Sequence, residues 1–141
     1  DMGFHNARSR FENELVKVLC EELGDEWFGQ RGTHSYGIDV IMFKASDNVL
    51  KPSAVLFEVK SITTWPFYLS KKNKQQYEKY HELLDSKGVE VVYAIRLMGE
   101  KEDKWRFAEL TSFSMTTRGN PCLKHGDTEG LRTFVHKLKN I

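Results

Sequence analysis

The run Ser53-Ala-Val-Leu-Phe-Glu-Val-Lys-Ser-Ile62 decides the fold. Val55, Phe57 and Val59 alternate with period two, so the run reads as a strand with an apolar face, and Glu58 and Lys60 share the opposite face. Upstream, Ile38, Val40, Ile41, Met42 and Phe43 form a second β-rich run that Asp39 opens. A turn at Ser46, Asp47 and Asn48 joins the two into a hairpin. That pairing carries Asp39, Glu58 and Lys60 to one end of a sheet.

The rest of the chain is organised around this hairpin. Phe11, Leu15, Val18, Leu19 and Leu23 recur at helical spacing and predict a helix over about residues 6–23, with Gly24 as its stop. Trp27 and Phe28 predict a short strand, and 29–37 is polar and turn-prone. After the hairpin, 63–69 is a loop with Trp65 and Pro66. Ser70 is an N-cap for a helix over 71–87 that Gly88 ends. Strands are expected at 89–97 and 105–110, mostly irregular chain from 111 to 130, and a last helix at 131–138. The order α-βββ-α-β-β gives an α/β domain with a central mixed sheet of about five strands. With 141 residues and no linker or repeat, residues 1–141 make a single domain.

Composition narrows the class. A 40% hydrophobic, 29% charged chain is an ordinary folded protein, and no apolar stretch spans a bilayer or resembles a signal peptide. Cys20 and Cys122 have no partner spacing, and His5, His81, His125 and His136 show no ligand spacing, which excludes a disulfide framework and a zinc knuckle. An intracellular, cytoplasmic protein is expected. The net charge is +1, which does not by itself point to nucleic acid.

Charge inside the apolar hairpin is costly unless something binds it. Two neighbouring carboxylates repel, and either a shared proton or a divalent cation relieves them. Oxygen ligands without His or Cys favour Mg²⁺, with Mn²⁺ as substitute. A lysine two residues from the second carboxylate then holds a water or neutralises charge growing on a phosphate. The plainer alternative is that Asp39 caps the turn at Gly37 while Glu58 and Lys60 make an exposed ion pair. On the first helix, Glu12 falls inside the apolar arc and needs a partner, either as part of the site or as an ion pair with Arg8 one turn earlier. Glu14 lies beside the polar face and needs only water.

Taken together, Phe11-Glu12-Asn13-Glu14-Leu15, Arg31, Ser35, Gly37-Ile38-Asp39 and Glu58-Val59-Lys60 resemble the archaeal Holliday junction resolvases of the PD-(D/E)xK nuclease superfamily. The likeness runs from about Ala7 to Leu110. It implies a restriction-endonuclease-like core in which Asp39, Glu58 and the Val59 carbonyl bind the metal. Lys60 would be the catalytic lysine, Glu12 a third acid, Ser35 part of a loop reaching the scissile phosphate, and Arg31 a DNA contact. It also implies a homodimer that nicks opposing strands of a four-way DNA junction. The chain departs from that pattern in a longer hairpin at 45–52, in its near-neutral charge, and in a tail after Thr111 with no counterpart.

The second helix adds two features. Lys71, Lys72 and Lys74 contact phosphates near the site, or form a solvated face. Gln76 and Tyr80 share a helical face and resemble the Q-x-x-x-Y element of RecB-like nucleases, which places Gln76 with Arg8 among the DNA-contacting candidates. Trp65, Phe67 and Tyr68 are candidates for stacking on unpaired bases. Trp105, Phe107, Leu110, Phe113 and Met115 suggest a dimer face, or core. The reading is a Mg²⁺-dependent, structure-selective endonuclease, most consistent with a junction resolvase. The alternatives are a repair, restriction or RecB-like nuclease acting on ends or flaps, and a non-catalytic DNA-binding module.

Overall fold

The computed structural model describes residues 2–32, 37–45 and 53–140, with side chains from Arg10 onward. The expected turn at Ser46, Asp47 and Asn48, the loop holding Ser35, and the Arg8 side chain lie outside the described residues.

The alternating run forms the ten-residue strand β3 (Ser53–Ile62), which pairs antiparallel with β2 (Val40–Lys44), itself paired antiparallel with β1 (Trp27–Arg31). On its other side β3 runs parallel to β5 (Val91–Leu97), with Glu58 beside Tyr93. A parallel pair needs a crossover, and α2 (Lys71–Lys87) supplies it, with Ser70 and Gly88 as its caps. β6 (Trp105–Ala108) and the edge strand β9 (Glu129–Gly130) complete, among the described residues, a six-stranded mixed sheet in the order β1-β2-β3-β5-β6-β9.

Helices cover both faces. On one, α1 (Met2–Leu23) and α3 (Leu131–Lys139) bury Leu15, Leu19, Val40, Met42, Phe57, Phe107 and Phe134 together. On the other, α2 brings Tyr77 and Tyr80 onto Val91, Tyr93 and Ile95. Alternation along β3 therefore sends Phe57 into the first layer and Glu58 toward α2.

Three expectations change. The segment expected to be irregular forms a second, three-stranded sheet, β4-β8-β7, from Phe67–Tyr68, Pro121–Leu123 and Ser114–Met115. Such short strands carry no periodicity to read. The strand expected at 105–110 ends at Ala108, and Leu110–Ser112 turns into a 3-10 helix. Trp105, Phe107 and Leu110 are fully buried and Phe113 packs on Tyr77 and Tyr93. They are core rather than a dimer face, and only Met115 of that group stays exposed.

Candidate active site

Asp39, Glu58 and Lys60 come together because β3 outruns its neighbour. The β2–β3 ladder stops at Val40 opposite Phe57. One residue earlier the Asp39 amide still donates to the Phe57 carbonyl, at 3.0 Å. Beyond that point no strand among the described residues pairs with β3 on this side, and the Val59 amide donates instead to Asp39 Oδ2 at 2.8 Å. The two main-chain groups of a strand residue face the same edge, so the Val59 carbonyl looks into the same recess. Glu58, only 1% exposed, lies one residue away, and Lys60 Nζ sits 3.2 Å from Glu58 Oε1. Asp39 is also buried. The alternative of an exposed Glu58–Lys60 pair is therefore incorrect: Glu58 is buried and Lys60 is half-buried beside it.

Helix α2 holds the recess from the other side. Lys60 Nζ donates to Asn73 Oδ1 at 3.1 Å. One turn later Gln76 Nε2 donates to the Gly37 carbonyl at 3.2 Å, and the Tyr80 hydroxyl lies 2.9 Å from that carbonyl and 2.8 Å from Glu58 Oε2. Asn73, Gln76 and Tyr80 thus use one face of α2 to touch the lysine, the segment leading to Asp39, and Glu58. Two glycines allow the close approach. Gly37 has φ +76°, and a Cβ there would fall 2.6 Å from Gln76 Nε2. Gly32 donates its amide to the Asp39 carbonyl at 2.7 Å, and a Cβ on it would come within 1.9 Å of the Ile38 carbonyl oxygen.

Burial and the neighbouring Asp39 carboxylate push the Glu58 carboxyl up to about 7, against the pull of Lys60 and Tyr80. Burial, with Glu58 nearby, also pushes the Tyr80 hydroxyl far up, so it stays protonated and acts as a donor. Its single proton serves Gly37 or Glu58, and the proton held on Glu58 lets both contacts form together.

This donor set fits a hard divalent cation. Among the described residues, no group of three or more His, Cys, Asp or Glu side chains is placed to hold a metal. The recess instead offers the Asp39 and Glu58 carboxylates and the Val59 carbonyl. Mg²⁺ is commonly held by one or two carboxylates, with waters and substrate phosphates completing its shell. A cation would also relieve the repulsion from Asp39 that, after burial, pushes the Glu58 carboxyl up.

The other expected residues are placed as follows. Glu12 is buried and accepts from Arg31 Nε at 2.8 Å. Arg31 is the register partner of Val40, so this pair lies on the α1 face, across the sheet edge from Glu58. Glu14, expected to need only water, is part-buried and accepts from Arg96 Nε at 2.7 Å and from the Trp105 indole at 2.9 Å. Lys71 and Lys72 are exposed and Lys74 is half-buried. Gln76 turns inward to Gly37. Of the three aromatic residues after β3, Phe67 is buried, Trp65 packs edge-on against His125, and Tyr68 is exposed. Sequence reasoning did not find Asn73 or Gly32, because a polar residue in a first helical turn and a glycine in a loop carry no distinguishing pattern.

No protein-family model matches this sequence, and no curated protein does. Among solved structures, the chain is similar to the 1.6 Å structure of Archaeoglobus fulgidus Hjc, a Holliday junction resolvase from an archaeal hyperthermophile. The TM-score is 0.64 at 18% identity, over 91% of this chain and 94% of that one. The chain shares that resolvase's fold. At this identity the likeness is one of fold and not of residue matches.

Proposed function

We propose that this protein is a Mg²⁺-dependent, structure-selective DNA endonuclease that resolves four-way junctions as a homodimer. The observation that carries the reading is the convergence of Asp39, Glu58 and Lys60 where β3 runs past β2, on a resolvase fold. Asp39, Glu58 and the Val59 carbonyl would hold the cation, with Mn²⁺ as a substitute. When bound, that cation supplies Lewis-acid polarisation of the scissile phosphate and activation of the attacking water. The Lys60 ammonium, fixed between Glu58 and Asn73, faces the charge that grows on the phosphoryl oxygens. Tyr80 and Gln76 hold Gly37, and with it Asp39, so that the carboxylates are pre-positioned. Water oxygen adds to phosphorus, one ester bond breaks, and the proton passes to the leaving alkoxide. Lys71, Lys72, Lys74, Arg31, Arg8 and the loop with Ser35 are the proposed DNA contacts, and Glu12 acts by holding Arg31.

A second reading draws on a specific observation. Gln76 and Tyr80, spaced like the Q-x-x-x-Y element, both reach the site, which favours a RecB-like nuclease acting on ends or flaps. Equal molar amounts of four-way junction, flap, linear duplex and single strand, incubated with and without Mg²⁺, separate the two. Junction-selective nicking supports the first reading, and end- or flap-selective cutting replaces it with the second. Mg²⁺-indifferent DNA binding with no cutting leaves a binding module.

A further inference from the structure

The Lys60 side chain leaves a strand only two residues after Glu58, and a flexible four-carbon stem would let its ammonium roam. It does not roam here. Its Nζ is held from two directions, by Glu58 Oε1 at 3.2 Å and by Asn73 Oδ1 at 3.1 Å. An ammonium only donates, so the Asn73 amide must present its oxygen to Lys60, and its orientation is settled by chemistry. The backbone around Asn73 is fixed independently: its amide N–H caps onto the Ser70 hydroxyl and α2 begins at Lys71. Asn73 is half-buried with its side chain committed to Lys60, so it is an anchor on a rigid helical turn rather than a surface residue in passing.

The second anchor matters because the first has another proposed partner. Glu58 is one of the two carboxylates proposed to hold the cation, and a carboxylate whose charge is shared with a cation attracts an ammonium less strongly. A lysine tied to Glu58 alone would then lose its register in the state that reacts. Asn73 is neutral, lies outside that donor set, and keeps its oxygen in place.

We propose that Asn73 is the positioning residue for Lys60, fixing the ammonium over the reacting phosphate when Glu58 is engaged elsewhere. The assignment rests on the nuclease reading above and deepens it. Asn73→Leu keeps the branched four-atom side chain and the Ser70 cap, which uses the backbone, but removes the acceptor. Asn73→Asp keeps an oxygen at the same place. Cleavage of a synthetic four-way junction in saturating Mg²⁺ is the readout, with kcat and KM resolved and thermal midpoints compared to show that each variant folds.

Asn73→Leu is expected to lower kcat by about 10- to 100-fold, the scale of a small misplacement at a reacting centre. Its KM should stay within about twofold, and Asn73→Asp should restore most of kcat. Wild-type kcat in Asn73→Leu, or equal losses in Leu and Asp, would overturn the assignment. Failure of the nuclease reading looks different: Asp39→Asn and Lys60→Ala would then leave the products unchanged, whatever Asn73 does.

Discussion

Single atoms at the recess make three tests possible. Asp39→Asn, Glu58→Gln and Lys60→Ala should each reduce junction cleavage by at least about 100-fold, the usual scale for losing one preorganised electrostatic group. Circular dichroism should show the fold retained. Tyr80→Phe removes a hydroxyl that touches both Gly37 and Glu58. Leaving the buried Glu58 Oε2 without its hydroxyl partner costs about 1 to 3 kcal/mol, measurable as a lower denaturation midpoint in urea. The Glu58 carboxyl, pushed up to about 7 by burial and Asp39, gives the third test. Folding raises this pKa, so its contribution to stability is complete below about pH 4.5 and is lost as pH rises through about 7. Without divalent cation, stability should decline across that window, and Glu58→Gln, fixed neutral, should flatten the decline. A wild-type profile as flat as that of the variant would contradict the burial of Glu58 beside Asp39.

Elements explain which of these residues were legible beforehand. The period-two run of β3 and the Asp39 that precedes β2 state their own faces, so the pairing of two carboxylates with a lysine follows from local pattern. The span of α2 is readable from Ser70 and Gly88, whose cap chemistry is local too. Other contacts are not local. Glu14 lies on α1 and its partner Arg96 is 82 residues away on β5, so no spacing rule joins them. Tyr80 could be read as one member of a helical pair, but its reach to Gly37, 43 residues earlier, needs the crossover to be built. The Glu14 contact carries its own test. Burial raises this carboxyl, but hydrogen bonds from Arg96 and Trp105 and the charges of Arg96 and Lys104 outweigh it and hold the pKa below 4.5. Its stabilisation is therefore present above that pH and lost as pH falls further. Glu14→Gln should cost roughly 1 to 2 kcal/mol at pH 7 and reduce the loss of stability on acidification, as read by urea titrations at pH 7 and 3.

The whole molecule combines a fold shared with a junction resolvase, a second small sheet that joins 67–68 to 114–115 and 121–123, and near-neutral charge. Among the described residues no helix is long and apolar enough to cross a membrane. The charge balance limits how many phosphates this surface neutralises, so junction affinity should fall less steeply with salt than for a strongly basic nuclease. Lys71 and Lys72, exposed at the start of α2, should each account for about one unit of the slope of log affinity against log salt. Removing both by alanine substitution and repeating the titration checks this.

The most direct measurement is a single cleavage gel. A synthetic four-way junction is incubated with wild-type protein and with Asp39→Asn, each with and without Mg²⁺. Paired nicks across the branch point are expected only for wild type with Mg²⁺. Cleavage by Asp39→Asn at the wild-type rate, or an intact junction in every lane, would contradict the recess beside β3 as the place where phosphodiester chemistry occurs.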